Sequence, residues 1–475
     1  MKRFKLAHKA LLPAVGVSLL AFPCICAALP PATGWRTGGT GAYPDAAPPT
    51  VWAKDKNVVW SCALPNWSNA TPLLSGDKIF VCAEPDQLVC VSAADGKVLW
   101  SKAHPLEESF SEEQKAMVRQ EEEKLKSLKE QHAAIGKEFD EAKKAFDADK
   151  TAPELKARMD GHKNRRDDVA KEMGKLQNYA TAFTHGANGY TTSTPVSDGS
   201  RVFVQTGLGV VACYDLTGQR KWIRFLEKPV GLDNCGHCAS PSLLAGKLLV
   251  PFNRIHALNS ETGETLWSAD AAPAWGTPIP GRIGETEVLF TSRGDVLRAS
   301  DGKLLAGKLA NIIYGAPVLV DDMAFCINGG DRWDSSNVAA LAYKLPQTMS
   351  DPLKLEPLWT TPLKKDEYYA SLVVTKGFMY AVTKKAVLTV LAAKDGAKIH
   401  EKDLSLGAGT VYPSIAAAGN YVYVSSDNGA TLVLEAAAEY KEVARNTLET
   451  FRSCPVFAGR RMYIRAYSAL YCIGE

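Results

Sequence analysis

Short runs of alternating apolar and polar residues recur along most of this chain, introduced in all but one case by a proline, which follows Ser or Thr in four of them, and by a turn that usually holds Gly. The openings fall at Pro72, Pro195, Pro241, Pro278, Pro317, Leu372, Pro413 and Pro455, and apart from one large gap they return every 37 to 55 residues. In the first unit Lys78-Ile79-Phe80-Val81-Cys82 and Leu88-Val89-Cys90-Val91 alternate as half-buried strands, and Asp95-Gly96-Lys97-Val98-Leu99-Trp100 closes the unit. Asp95-Gly96 supplies the positive φ of a tight hairpin, and Pro72 suits the first residue of an inner strand because it has no N–H to donate. Four strands per unit at this period predict an all-β, eight-bladed β-propeller.

The later units repeat the pattern unevenly. Thr217 to Trp222 and Thr262 to Trp267 keep the closing phrase in full, whereas Asp301-Gly302-Lys303 and Asp395-Gly396 keep its turn and Leu358-Trp359 its end. The last unit runs through Met462-Tyr463-Ile464 and Leu470-Tyr471-Cys472-Ile473 and stops one strand short. Asn57-Val58-Val59-Trp60-Ser61 has the outer-strand pattern with no inner strands before it. The N- and C-terminal strands are therefore expected to share the closing blade, which leaves no open sheet edge.

Between Trp100 and Pro195 the composition shifts to Glu, Lys, Ala and Leu. Leu125, Leu128, His132, Ile135, Phe139, Ala142 and Phe146 step by three and four, as do Leu155, Met159, His162, Arg166, Val169, Met173 and Leu176. Such seams predict an antiparallel coiled-coil hairpin reaching roughly 50 Å from the ring. Capping boxes are expected at Ser111/Gln114 and Thr151/Glu154. The arm reads either as a docking element or as a solvated decoration. His132 and His162 read as packed seam residues, since no Cys or acid joins them in a metal-binding spacing.

Composition narrows the setting. Met1 to Lys9 is basic, Ala10 to Phe22 apolar, and Pro23 to Ala28 ends in small residues, the form of a secretory signal peptide too short to span a bilayer. Pro23 sits badly in a lipidation signal around Cys24 and Cys26, so a free N-terminus is expected. Residues 1–28 hold four cations and no acid, so the formal charge of +3 falls to −1 without them, giving no electrostatic case for nucleic acid. Nine of the eleven cysteines remain, an odd number. The expected divisions are 1–28 signal peptide, 29–105 closing strand and first blade, 106–180 hairpin, and 181–475 the remaining blades.

The phrases Asp95 to Trp100, Thr217 to Trp222 and Thr262 to Trp267, with the opening from Trp35 through Trp52 and Trp60 to Pro72, resemble PQQ-like repeats. These occur in quinoprotein dehydrogenases and in BamB-like outer-membrane assembly proteins. The resemblance covers all but the signal and the insertion, and implies an eight-bladed ring in the cell envelope. In the dehydrogenases it implies PQQ beneath a ring of two adjacent cysteines, above a Trp, with calcium held by Glu, Asn and Asp. This chain has no Cys-Cys pair, and Asn328 to Asn337 reads as a polar hairpin loop because it lacks an EF-hand spacing. No cofactor and no metal are therefore expected, with PQQ and calcium belonging to the dehydrogenase alternative.

Among local motifs, Cys235-Gly236-His237-Cys238 matches the string of disulfide isomerases, but Ala239-Ser240-Pro241 then opens a strand where those enzymes have a helix. A structural disulfide, free thiols, a redox pair and a metal site stay open. Cys90 and Cys213 recur at one place in their strands, as Ala257 does, and read as core filler. Cys62 and Cys472 lie in the two strands of the closing blade and are candidates for a ring-closing disulfide. Just before the inner strands sit Trp67, Tyr190, His237, Trp275, Tyr314, Tyr369, Tyr412 and Arg452, expected around the mouth of the central channel. They serve either as a binding surface or as loop-to-loop packing. The expected function is a non-catalytic, exported envelope scaffold with a protein partner, against a quinone-dependent dehydrogenase or a thiol oxidoreductase.

Overall fold

The computed structural model describes residues 34–474 except 177–187, 231, 233–234, 312 and 332–335. The signal-peptide reading and both of its cysteines lie outside the described residues, as does part of the loop Asn328 to Asn337. Among the described residues the strands form eight sheets, arranged as the blades of a propeller. The first blade runs Leu73–Ser75, Lys78–Ala83, Gln87–Ser92 and Val98–Ala103 from the axis outward. In the eighth, Val456–Ala458, Arg461–Arg465 and Ala469–Ile473 are completed by Val58–Ala63, with Trp60 opposite Cys472 and Ser61 opposite Tyr471. Closing the ring this way ties the N-terminal strand to the C-terminal one.

The Ser/Thr-Pro step has a specific task at the axis. The backbone N–H of Thr71 donates to Thr194 Oγ1, Thr194 to Ser240 Oγ and Ser240 to Thr277 Oγ1, each at 3.0–3.1 Å. Ala316 donates to Ser371 Oγ, Ser371 to Ser414 Oγ, and Cys454 to Thr71 Oγ1. Each hydroxyl thus satisfies the last N–H before a residue that is mostly proline, at a depth where water is excluded. The collar is interrupted, among the described residues, where the next position is Ala316 or Cys454, neither of which has a hydroxyl. In the seventh unit the collar residue is Ser414, so that repeat opens at Ile415, two residues later than Pro413.

Neighbouring blades are joined farther out by the closing phrase. The indole N–H of Trp100 donates to Leu216 O, Trp222 to Ser260 O, Trp267 to Ala299 O and Trp359 to Ala393 O. Beneath each of these rings lies the turn glycine of the next blade, as Gly218 does under Trp100. Gly218 has φ +86°, and a Cβ there would stand 2.8 Å from the ring, so both backbone and contact require glycine.

The insertion is a helical hairpin of Glu112–Ala148 and Pro153–Lys175. Leu125, Ile135 and Ala142 are buried along the seam, Arg166 lies over the Phe139 ring, and His162 Nδ1 is 3.1 Å from Glu138 Oε2. The Ser111/Gln114 capping box is present. The one expected at Thr151 is not: Asp149 takes both the N–H and the hydroxyl of Thr151, Ala152 becomes the N-cap, and Pro153 starts the helix. A short turn, Leu106–Ser109, anchors the arm as Leu106 and Phe110 pack against Val210 and Phe225 of the second blade. Arg220 pairs with Glu108 at the same place.

Candidate functional site

The connections from each outer strand to the next inner strand gather at one end of the channel, and a cavity of about 230 Å³ opens there. Besides the collar itself, one position of the repeat lines it from every blade, two residues before the collar: Asn69, Thr192, Cys238, Trp275, Tyr314, Tyr369, Tyr412 and Arg452. Trp275, Tyr314, Tyr369, Tyr412 and Arg452 are thus brought together in the lining. The other three mouth candidates are not. Trp67 packs against Tyr467, and Tyr190 turns its N–H to Glu84. His237 is buried 4.3 Å from the Phe252 ring and bonded to Val230 O, and burial lowers its pKa. Asn69, Thr192 and Cys238 stand in their places; a fixed offset from the opening residue identifies them where a search for aromatic side chains does not.

The aromatic wall is continuous over four blades. Trp275 and Tyr314 stack at 5.0 Å and 7°, Tyr314 meets Tyr369 edge-on at 4.6 Å, and Tyr369 stacks on Tyr412 at 5.1 Å. The Arg452 guanidinium lies 4.1 Å over the Tyr412 ring and 3.4 Å from Asp427, whose other oxygen accepts the N–H of Thr410. Tyr369 donates to Glu367 at 2.6 Å, and burial together with that carboxylate raises its pKa. Glu367 also pairs with Lys384, so the aromatic row is fixed from behind.

The inner end of the cavity is closed by the N-terminal segment. Trp35 lines it, and Arg36 beneath is 1% exposed, donating to Leu372 O at 2.8 Å and Ile415 O at 2.6 Å. Desolvation lowers the pKa of Arg36, and among the described residues no carboxylate pairs with it. Ala42–Tyr43 then adds a parallel fifth strand to the inner edge of the seventh blade, Ala42 opposite Ala417. Glycine permits the close fit: a Cβ on Gly39 would stand 2.4 Å from Ile279 Cδ1. Among the described residues this segment crosses the inner end of the channel, leaving a pocket open at the mouth.

The cysteines divide between wall and core. Cys235 and Cys238 both line the pocket, and extended chain and the inner strand Ser242–Leu244 follow them. Burial and the adjacent Cys235 sulfur push the Cys238 thiol up to about 12, far from a reactive thiolate. The ring-closing disulfide does not form: Cys62 faces Leu470, Cys472 faces Trp60, and both thiols are free. Diagonal neighbours in a sheet lie about 7–8 Å apart, beyond the span of a disulfide. Cys472 instead occupies the place of Cys90, which faces Phe80 and Trp100, and of Cys213, which faces Phe203 and Trp222. Among the described residues no three His, Cys, Asp or Glu side chains converge as a metal site. No Asp or Glu lines the pocket among them either, so the donor set for a calcium-polarised quinone does not fit it. Nor, among them, is any helix long and apolar enough to cross a membrane.

The family described as outer membrane protein assembly factor BamB matches residues 49–134. No curated protein matches the chain. BamB from Moraxella catarrhalis has a similar structure at 12% identity, over 88% of this chain and 99% of that one, with a TM-score of 0.55. The computationally designed Ika8 protein is similar at 10% identity, over 88% of this chain and 100% of that one, with a TM-score of 0.53. Together these likenesses show an eight-bladed β-propeller fold over most of the chain, with a BamB-like PQQ repeat matched at residues 49–134.

Proposed function

We propose that this protein is a non-catalytic binding scaffold of the cell envelope, exported by its N-terminal segment, that holds a protein partner at the channel mouth and along the helical arm. The observation that carries this reading is the aromatic wall from Trp275 to Tyr412, ending in Arg452, around the pocket at the channel mouth. Aromatic side chains and Arg are the residue types that anchor protein interfaces. The arm supports it by placement, since it is inserted in the connection from the first blade to the second, the class of connection that carries the mouth residues. The match to the BamB family adds an analogy of fold and setting. Among the described residues a dehydrogenase reading lacks the carboxylates, and the sequence lacks the adjacent cysteine pair; a thiol oxidoreductase reading lacks the helix N-terminus that would activate Cys235, since the strand Ser242–Leu244 follows the motif.

The test is capture of crosslinked envelope proteins by the native chain, by Tyr369→Ala, and by a chain lacking residues 112–176. A band present with the wild type and lost in either variant, with the propeller still folded, supports the scaffold. Identical capture by all three removes mouth and arm from the interaction.

A further inference from the structure

We propose that this pocket receives the free C-terminal carboxylate of a partner polypeptide, on Arg452, with the terminal side chain laid on the aromatic wall. This deepens the partner-binding reading and rests on it. Three observations combine. The pocket is closed at its inner end by Trp35 and by Arg36, which is bonded to the carbonyls of Leu372 and Ile415. An internal loop would have to enter and double back, with its two arms about 5 Å apart, in about 230 Å³. A chain end enters once.

The charge inside favours an anion. Among the described lining residues Arg452 is the only Lys or Arg and no Asp or Glu is present, while Asp427 holds Arg452 from outside the lining. Beneath the floor Arg36 adds a second cation, bonded to carbonyls and not to a carboxylate. The guanidinium lies flat on Tyr412 with one N–H on Asp427, so an incoming carboxylate would share its N–H edge with Asp427.

The two walls then divide the rest of a terminal residue. Asn69, Thr192 and Asn188 make one side polar, linked from Asn69 Nδ2 to Thr192 Oγ1, from Thr192 Oγ1 to Asn188 O and from Asn188 Nδ2 to Cys235 O. The row from Trp275 to Tyr412 brings a flat apolar surface to the other. Capture of a C-terminal carboxylate together with the last side chain is a recognition mode that uses these parts.

The experiment titrates the exported chain with acetyl-Ala-Ala-Phe bearing a free carboxylate and with the same peptide as its C-terminal amide, read by tryptophan fluorescence and calorimetry. The acid is expected to bind at least ten-fold more tightly than the amide, about 1.4 kcal/mol. Arg452→Gln should abolish that preference and Arg452→Lys should keep part of it, with melting curves confirming that both fold. Equal affinity of acid and amide, no binding of either, or an undiminished preference in Arg452→Gln would overturn the proposal. Capture of envelope partners by Arg452→Gln separates the two levels. If capture persists while the peptides show no acid preference, the scaffold stands and the carboxylate site falls. If the wild type captures nothing, the scaffold reading itself falls.

Discussion

The backbone N–H of Cys454 donates to the hydroxyl of Thr71 at 3.1 Å, joining the eighth inner strand to the first across 383 positions of the chain. Thr71 is buried, so its replacement by Val leaves that N–H without an acceptor where water cannot reach it. The expected cost is about 1–3 kcal/mol. Urea unfolding of Thr71→Val should show a lower midpoint at unchanged slope, and Thr71→Ser should stay near the wild type. Equal midpoints for Val and Thr would mean that the hydroxyl does not latch the ring.

The outer joint makes a second comparison. Gly96 has φ +74° and a Cβ there would stand 2.6 Å from the Trp60 ring, whereas Gly76, at φ +60°, has nothing within 4 Å. Gly76→Ala should cost about 1 kcal/mol for the left-handed backbone alone. Gly96→Ala should cost clearly more, because it also displaces the indole, and Trp60→Leu in the same chain should recover part of the difference. Equal losses for the two glycines would show that the ring does not bear on the turn.

Period and composition carry the architecture because a propeller repeats its constraints. Ser240-Pro241 and Thr277-Pro278 are visible as a phrase, and the phrase exists because each hydroxyl serves the blade before it. The mouth is only partly legible, since Asn69, Thr192 and Cys238 occupy wall positions without an aromatic to mark them. Cys472 was open to the same logic as Cys90, and the shared register decides against pairing it with Cys62. The plug is the least legible part. Arg36 meets Leu372 and Ile415 more than three hundred positions away, and no local pattern encodes such contacts.

His104 predicts a pH dependence. It is fully buried beside Tyr214, and burial, with the Arg220 charge, pushes its pKa down to about 3. In the unfolded chain the same imidazole titrates near 6.5. Between about pH 6.5 and 3 the unfolded state therefore binds the extra proton, so stability is retained above 6.5 and lost as the pH falls, by at most about 1.4 kcal/mol per unit. His104→Phe should flatten this part of the curve of urea midpoint against pH. A slope identical to that of the wild type would show that His104 is not its source.

Arg36 holds the segment that turns an open channel into a pocket. Its guanidinium is out of water, it donates to Gly39 O and to the carbonyls of Leu372 and Ile415 at the starts of two neighbouring inner strands, and the next element is only the two-residue strand Ala42–Tyr43. Arg36→Met removes the donors and leaves the Leu372 and Ile415 carbonyls buried, a penalty of about 1–3 kcal/mol for each that stays unsatisfied. The least costly escape is local opening of the segment, because the outer strand Val58–Ala63 keeps its own pairing with Ala469–Ile473. Chymotrypsin should therefore cut Arg36→Met at Trp35 or Tyr43 at least ten-fold faster than the wild type, while the remaining propeller still unfolds cooperatively. Arg36→Lys, which retains a cation with fewer donors, should fall between the two. If cleavage is no faster in Arg36→Met, the segment is held by its strand pairing and glycine contacts, and the buried guanidinium is not what closes the channel.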